Sequence, residues 1–120
     1  EMLPRMRRFV EEGNMPVWFP VGWERGYQSP DENTLILSRG DEILGWARYS
    51  PDTPTAYFGP ILVLRRARGN HFGALLLLEC MIRARDRGAR AMIAGWANTG
   101  FYVRLGWEIS RRYAVLEKEL

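Results

Sequence analysis

The segment from residue 57 to residue 94 constrains the fold most, because the sequence changes from a strand pattern to a helix pattern and back within it. Residues 57–64 are typical of a strand, residues 74–87 of a helix, and residues 91–94 of a short buried strand. A strand, a crossover helix and a second strand usually form a parallel, right-handed unit. We therefore expect a mixed sheet with a helix packed against it.

The first of these strands contains the pair Gly59-Pro60. Pro60 has no N–H to donate to a ladder, and a glycine inside a strand often marks a bulge. The sequence therefore predicts a bulge or a local splaying of the sheet at this pair.

The remaining segments place a helix and an antiparallel hairpin before this unit and short elements after it. The predicted elements are a helix at 2–12, strands at 34–37 and 43–49 joined by a turn at 38–41, helical turns at 101–105 and a final strand around 112–116. This order defines an α/β (α+β) fold class.

Two apolar segments contribute further to the predicted packing. Residues 16–23 are rich in aromatic side chains and broken by prolines, so they either pack on the core as a loop or form one wall of a substrate cleft. In the helix at 74–87, helical spacing places several side chains on or beside one face, namely Leu75, Leu78, Met81, Ile82 and Arg85.

Length and composition exclude several classes of protein. At 120 residues, with 47% hydrophobic and 26% charged residues, the chain has the size and composition of one soluble globular domain. Its longest aliphatic run, residues 74–78, is far short of the roughly 20 residues of a membrane span. Cys80 and His71 are the only residues of their types, so we expect no disulfide, no zinc site and a cytoplasmic location.

A basic loop joins the bulged strand to the following helix. Its glycines, Gly69 and Gly73, let the backbone approach a ligand closely, and the free N–H groups of a helix N-terminus favour an anion. The loop therefore predicts a phosphate or pyrophosphate site, although a plain connection with its arginines in solvent would look the same. Neither the P-loop motif nor the G-x-G-x-x-G motif is present. The loop arginines are Arg65, Arg66 and Arg68.

Three sequence blocks resemble motifs of the GNAT-superfamily N-acetyltransferases. The strand and loop just described are similar to G-P-I-x-V followed by R-G-x-G-I-G-x-x-L-L. Residues 91–96 are similar to an A-I-I-G-W strand, and residues 101–107 match F-Y-x-x-x-G-F. The blocks occur in the family's order and cover most of residues 35–118. The matching positions of the first block are Gly59, Pro60, Ile61, Val63, Arg68, Gly69, Gly73 and Leu76.

The resemblance implies one GNAT-like domain over residues 1–120, with a mixed, mostly antiparallel central sheet, a splayed parallel strand pair and flanking helices. It also implies acetyl-CoA as co-substrate, with the pantetheine between residues 59–64 and 91–95 and the pyrophosphate on the loop amides. An amide of Leu62 or Val63 would hold the thioester carbonyl. The implied cofactor-binding residues are Ile61, Leu62, Val63, Arg68, Gly69, Asn70, His71, Phe72, Gly73 and Ala74.

The same resemblance implies the chemistry. A neutral primary amine of a small molecule or peptide attacks the thioester directly, and Tyr102 is the candidate acid for the departing thiolate, unless it only packs beside the cofactor. No base is identified, because Tyr57 and Phe58 stand where many family members carry Glu. Water, Glu24 and Asp52 are the candidates.

The chain departs from the family pattern in three places. His71 replaces the first glycine of G-x-G, Leu64-Arg65 replace an Asp-Pro pair, and residues 1–12 leave no room for the family's first strand. These departures keep open a degenerate domain that binds CoA or a protein partner without catalysis. A fragment, a tandem-domain chain and a homodimer also stay open. The dispersed arginines argue against a nucleic-acid partner, and no membrane partner is expected.

Overall fold

A computed structural model describes residues 2–13, 33–95, 99–112, 114 and 116–119 of the chain. Over these residues the strands form a single four-stranded sheet, and a 3-10 turn at Arg65–Ala67 follows the third strand. The helices are α1 (Met2–Gly13), α2 (Phe72–Asp86) and α3 (Thr99–Arg104), and the strands are β1 (Thr34–Arg39), β2 (Glu42–Ser50), β3 (Thr55–Val63) and β4 (Ala91–Ala94). None of the helices in these segments has the length and apolar character needed to cross a membrane.

The sheet has the order β1-β2-β3-β4. The first two pairings are antiparallel and the last, between β3 and β4, is parallel, as a crossover through α2 requires. Gly40 takes a φ of 59° in the hairpin between β1 and β2, a conformation that favours glycine. The predicted fold class, a mixed and mostly antiparallel sheet with flanking helices, is confirmed.

The predicted bulge lies in β3. Ala47 of β2 pairs with Ile61, and Tyr49 pairs with Phe58. One residue of β2 therefore stands opposite the two residues Gly59-Pro60, which defines a β-bulge. The extra residue shifts the strand's alternation, so that Phe58 and Ile61 both contribute to the core on the α2 side of the sheet.

Each face of the sheet has its own hydrophobic core. On one face α2 packs over Ala47, Tyr49 and Phe58, and on the other α1 places Met6 and Phe9 against the sheet. Gly45 lets α2 come close, because a Cβ at this position would stand 3.0 Å from Leu76 Cδ1. The two cores therefore fix the helices on opposite sides of β2.

The buried face of α2 differs from the face that the sequence periodicity picks out. Leu76, Leu77, Cys80 and Ala84 are the buried residues of the helix. Leu75, Leu78 and Ile82 lie outside the core and are 54%, 44% and 42% exposed. Leucines fill four consecutive positions here, so the hydrophobic period cannot choose the face, and contact with the sheet decides it.

Two sequence-based expectations at the edges of the domain have different outcomes. The final strand predicted around residues 112–116 is wrong for the residues described there, since Arg112, Ala114 and Leu116 are exposed and have no regular structure. Apolar composition alone suggested that strand, and no neighbouring strand pairs with these residues. The aromatic segment at 16–23 lies outside the described residues.

Candidate functional site

The parallel ladder between β3 and β4 is short. It begins at the pair Thr55–Ala91 and ends at the pair Phe58–Ala94, directly before the bulge. From Gly59 to Val63, β3 continues beside β2, and within the described residues β4 supplies it with no further partner. Among the described residues, the sheet is therefore open along the second half of β3, as expected for a splayed strand pair.

Backbone alternation decides which groups of β3 face this opening. The N–H of Leu64 donates to the Leu44 carbonyl at 2.9 Å, so the pair two residues earlier, Leu62 and Trp46, also exchanges its hydrogen bonds with β2. The N–H groups of Ile61 and Val63 point the other way, into the opening. Of the two amides expected to hold a carbonyl, Val63 therefore faces the opening and Leu62 faces β2.

The loop after β3 is held by its own residues. The 3-10 turn buries Ala67 in the core on the α1 side, and the Asn70 side-chain amide donates to the Ala67 carbonyl at 3.1 Å. Arg68 donates from Nε to the Val63 carbonyl at 3.0 Å. Gly69 has a φ of 86°, where a side chain would be strained. These contacts constrain the backbone of the loop.

His71 begins α2 in the left-handed conformation, with φ 63° and ψ 18°. This is the position where the family motif carries glycine, a residue that adopts positive φ easily, and this chain has a histidine there. Histidine is among the few residue types enriched in this region. The residue is exposed.

No side chain caps the N-terminus of α2. The first N–H groups of a helix have no acceptor within the helix, and here these groups belong to Phe72, Gly73 and Ala74. Gly73 also fits closely under the neighbouring helix, because a Cβ on it would lie 3.3 Å from Phe101 Cε1 of α3. The amides of the first turn thus form a donor site at the start of α2 that suits an anion.

The three loop arginines have different surroundings. Arg66 binds Glu12 of α1 through two hydrogen bonds of 2.6 and 3.1 Å and Glu42 of β2 through one of 3.0 Å. The hydrogen bond to Glu12 raises the pKa of Arg66, and the hydrogen bond from Arg66 lowers the pKa of Glu12. Arg68 is engaged with β3, as described above. The guanidinium of Arg66 is therefore held by carboxylates of α1 and β2.

Tyr102 lies in α3 next to the point where the ladder ends. Its side chain is buried, and its ring lies 6.3 Å from that of Phe58 and 5.1 Å from that of Trp107. Burial raises the pKa of Tyr102, so its hydroxyl stays protonated at neutral pH. Within the described part of the chain no hydrogen bond engages this hydroxyl. Tyr102 is thus a protonated donor beside the opening.

Other candidate groups are placed less favourably for chemistry. Cys80 is buried in the core under α2, and burial raises its pKa from 9.0 to about 12, so it is not a nucleophile. Asp52 is exposed in the loop between β2 and β3. Glu24 lies outside the described residues. The structure therefore assigns no general base.

Comparison with known proteins identifies the family. The family model described as acetyltransferase (GNAT) family matches residues 3–107. The chain belongs to this family, and the resemblance found in the sequence is confirmed. No curated protein matches the chain significantly.

Solved structures share the fold at low sequence identity. A transcriptional regulator from Bacillus halodurans C-125 is similar with a TM-score of 0.68 and 20% identity, over 92% of this chain and 91% of that one. The aminoglycoside N-acetyltransferase AAC(6')-Iy in complex with CoA has a TM-score of 0.66 and 16% identity, over 86% and 91%. A GNAT family acetyltransferase from Brucella melitensis in complex with acetyl-CoA has a TM-score of 0.63 and 22% identity, over 85% and 74%.

The structure brings some of the residues singled out in the sequence together. Tyr102 packs against Phe58, the last residue of β3 in the ladder with β4, and its neighbour Phe101 lies beside Gly73 in the first turn of α2. Sequence reasoning missed the amide of Ile61 as a group that faces the opening. It also missed Glu12 and Glu42, whose contact with Arg66 spans 54 and 24 positions and leaves no local signal.

Proposed function

We propose that this chain is an N-acetyltransferase that moves the acetyl group of acetyl-CoA to a primary amine by direct attack on the thioester. One observation carries the proposal: the β3–β4 ladder ends at Phe58 and Ala94, and the part of β3 beyond it is followed, after the loop at 64–71, by the uncapped N-terminus of α2. An extended chain fits such an edge, and a diphosphate fits such a helix start.

The cofactor would lie along these two features. The N–H groups of Phe72, Gly73 and Ala74 would hold the pyrophosphate together with the backbone of residues 68–71. The backbone N–H groups of Ile61 and Val63 would bind the pantetheine arm and the thioester carbonyl. The acetyl-CoA and CoA complexes among the similar structures support this ligand class.

The reaction then needs few side chains. The acceptor amine, once deprotonated, attacks the acetyl carbon, and the Val63 N–H stabilises the oxygen that becomes negative. As the carbon–sulfur bond breaks, Tyr102 donates its proton to the thiolate of CoA. Water then returns a proton to Tyr102, and the hydroxide formed in this step takes up the proton that the attacking nitrogen loses. The Tyr102 hydroxyl is protonated at neutral pH, as tyrosine ordinarily is, and burial raises its pKa further, so it carries a proton to donate.

The acceptor is proposed to be a small-molecule or peptide amine. Structures of aminoglycoside acetyltransferases, one of them bound to a CoA–acetylneamine bisubstrate analogue, share the fold at 16–17% identity and support a small-molecule amine. The particular amine is left to experiment.

His71 favours one alternative function. Its side chain stands at a position where the family motif brings bare backbone next to phosphate, which suits a domain that binds CoA weakly and does not catalyse. Acetylation stays the main proposal because His71 has a positive φ, which glycine also adopts, and because its side chain is exposed.

The two functions are separated by binding and turnover measured together. We expect acetyl-CoA and CoA to bind in calorimetry and to raise Tm, and we expect thiol release with at least one member of a panel of primary amines. A ligand at 100 times its Kd should stabilise the protein by about 2.7 kcal/mol. Binding without turnover on the panel would favour the non-catalytic alternative, and absence of binding would contradict both. A duplex oligonucleotide serves as the polyanion control.

A further inference from the structure

Arg66 joins three separate elements of the fold. It lies in the 3-10 turn after β3, while Glu12 stands in the last turn of α1 and Glu42 is the first residue of β2. The bidentate contact to Glu12 and the single contact to Glu42 use one guanidinium group for both carboxylates. A planar guanidinium is suited to this, since it offers several N–H donors in a fixed geometry. We call these three residues the Arg66 cluster.

The Arg66 cluster leads directly to the proposed phosphate site. Ala67, the next residue, is buried beside Met6 and Phe9 of α1, and its carbonyl accepts the hydrogen bond from the Asn70 side chain. Asn70 precedes His71, the N-cap residue of α2. A displacement of Arg66 would therefore be passed along a short, contiguous path to the amides at the start of α2.

The charge of the cluster argues against direct phosphate binding by Arg66. One guanidinium is shared by two carboxylates, which leaves a local excess of negative charge next to a loop that must accept a polyanion. On electrostatic grounds alone, the two glutamates would weaken cofactor binding. Any favourable contribution of the two glutamates to cofactor binding therefore comes from the geometry of the loop.

We infer that Arg66 is a positioning residue for acetyl-CoA binding, which holds residues 65–71 against α1 and β2 so that the α2 amides are presented to the pyrophosphate. The inference rests on the proposed function. Arg66 acts through the loop and makes no contact with the phosphates.

Glu12→Gln tests this inference, because a positioning role predicts weaker acetyl-CoA binding and a purely electrostatic role predicts stronger binding. If the cluster positions the loop, the variant binds acetyl-CoA about threefold or more weakly, with a raised KM for acetyl-CoA and an unchanged kcat. If charge dominates, loss of a carboxylate strengthens binding. Arg66→Lys keeps the charge but cannot bridge both carboxylates equally well, and it should bind with intermediate affinity.

Glu79→Gln is the matched control. Glu79 pairs with Arg83 on α2 at 3.1 Å with 47% exposure of both side chains, which resembles the Arg66–Glu12 pair in length and exposure. It should leave the Kd for acetyl-CoA within about twofold of the wild-type value. Equal or tighter binding by Glu12→Gln, or equal weakening by both variants, would overturn the inference.

Amide hydrogen exchange separates this inference from the proposed function. Glu12→Gln and Arg66→Ala should speed exchange at Ala67 and Arg68, whose N–H groups are bonded within the turn, even without acetyl-CoA. Unchanged exchange at these amides would overturn the positioning role. Wild-type protein that fails to bind acetyl-CoA would refute the proposed function, whatever the exchange rates show for the loop.

Discussion

The rings of Phe58 and Tyr102 meet edge to face, with their centroids 6.3 Å apart and their planes at 73°. Phe58 is the last residue of β3 that pairs with β4, so this contact fixes α3 at the point where the sheet opens. The candidate acid is therefore positioned by the same strand whose backbone would hold the thioester. This relationship makes the role of Tyr102 testable by a change of one hydroxyl group.

Tyr102→Phe should lower kcat by about 10- to 100-fold and change the KM for acetyl-CoA by less than about twofold, because the ring packing is kept and only the proton donor is lost. Steady-state kinetics with acetyl-CoA and an accepted amine measure both constants. The raised pKa of Tyr102 means that any loss of activity from its ionisation comes only at a pH above tyrosine's ordinary range, and the variant lacks that loss.

Tyr57→Phe is the control for this change. Tyr57 lies on the neighbouring position of β3 but is 51% exposed and outside the core. Its variant should keep the wild-type kcat. Equal turnover of Tyr102→Phe and wild type would remove the acid role and leave Tyr102 as a packing residue.

Gly73→Glu should abolish measurable acetyl-CoA binding, since it places bulk and negative charge at the helix start that would hold the pyrophosphate. A carboxylate at a helix N-terminus does not by itself reduce stability, but contact with Phe101 requires a small shift. Calorimetry measures the binding, and thermal unfolding checks the fold. Gly73→Gln separates bulk from charge: we expect weakened binding that stays measurable. Unchanged affinity in the Glu variant would disprove the assigned loop.

His71→Gly should raise the free energy of unfolding by about 0.5–1 kcal/mol, because His71 has a φ of 63° and glycine adopts this conformation more easily. His71→Ala keeps a side chain in the same conformation and should not be stabilised. Denaturant unfolding compares the three proteins. Both variants should bind acetyl-CoA within about twofold of wild type, as the imidazole is exposed and the amides hold the ligand. A loss of stability in the glycine variant would contradict the claim that the backbone at His71 is strained.

Cys80 predicts how stability depends on alkaline pH. Burial raises its pKa from 9.0 to about 12, so between these values the unfolded chain loses the thiol proton while the folded chain keeps it. The folded state then binds more protons than the unfolded state, and stability falls as pH rises above about 9, by up to about 1.4 kcal/mol per pH unit.

Cys80→Ala should remove this pH dependence. The measurement is the difference in the free energy of unfolding between wild type and the variant, followed from pH 8 to pH 10.5. We expect the wild-type advantage at pH 8 to shrink as pH rises. A difference that stays constant with pH would show that the thiol ionises in the folded protein. Turnover of the variant at neutral pH should be kept, because no step of the reaction uses Cys80.

The sequence alone predicted the elements that contain residues with distinctive backbone properties or a clear strand pattern. The turn at 38–41 marked the hairpin, Gly59-Pro60 marked the bulge, and residues 91–94 were predicted as the strand that forms β4. The expected burial of that strand is wrong, because Ala91 and Ile93 are exposed and the other two residues are only partly buried. The turn and the bulge depend on residue types whose backbone properties are nearly independent of context.

Features set by distant contacts could not be predicted. The buried face of α2 depends on the space that Gly45 leaves for Leu76, and the partners of Arg66 lie far away in the chain. The direction of the Leu62 and Val63 amides depends on the register with β2 and on the bulge. The left-handed backbone at His71 could not be predicted from its residue type, because histidine is enriched in this region but still adopts it in only a small fraction of cases.

A crystal structure of the protein with bound CoA tests the central claim most directly. The account predicts the pyrophosphate within hydrogen-bond distance of the N–H groups of Phe72, Gly73 and Ala74, and the pantetheine between β3 and β4 on the Val63 amide, with the Leu62 amide still bonded to β2. A ligand bound elsewhere, or the His71 imidazole occupying the place of the pyrophosphate, would contradict it.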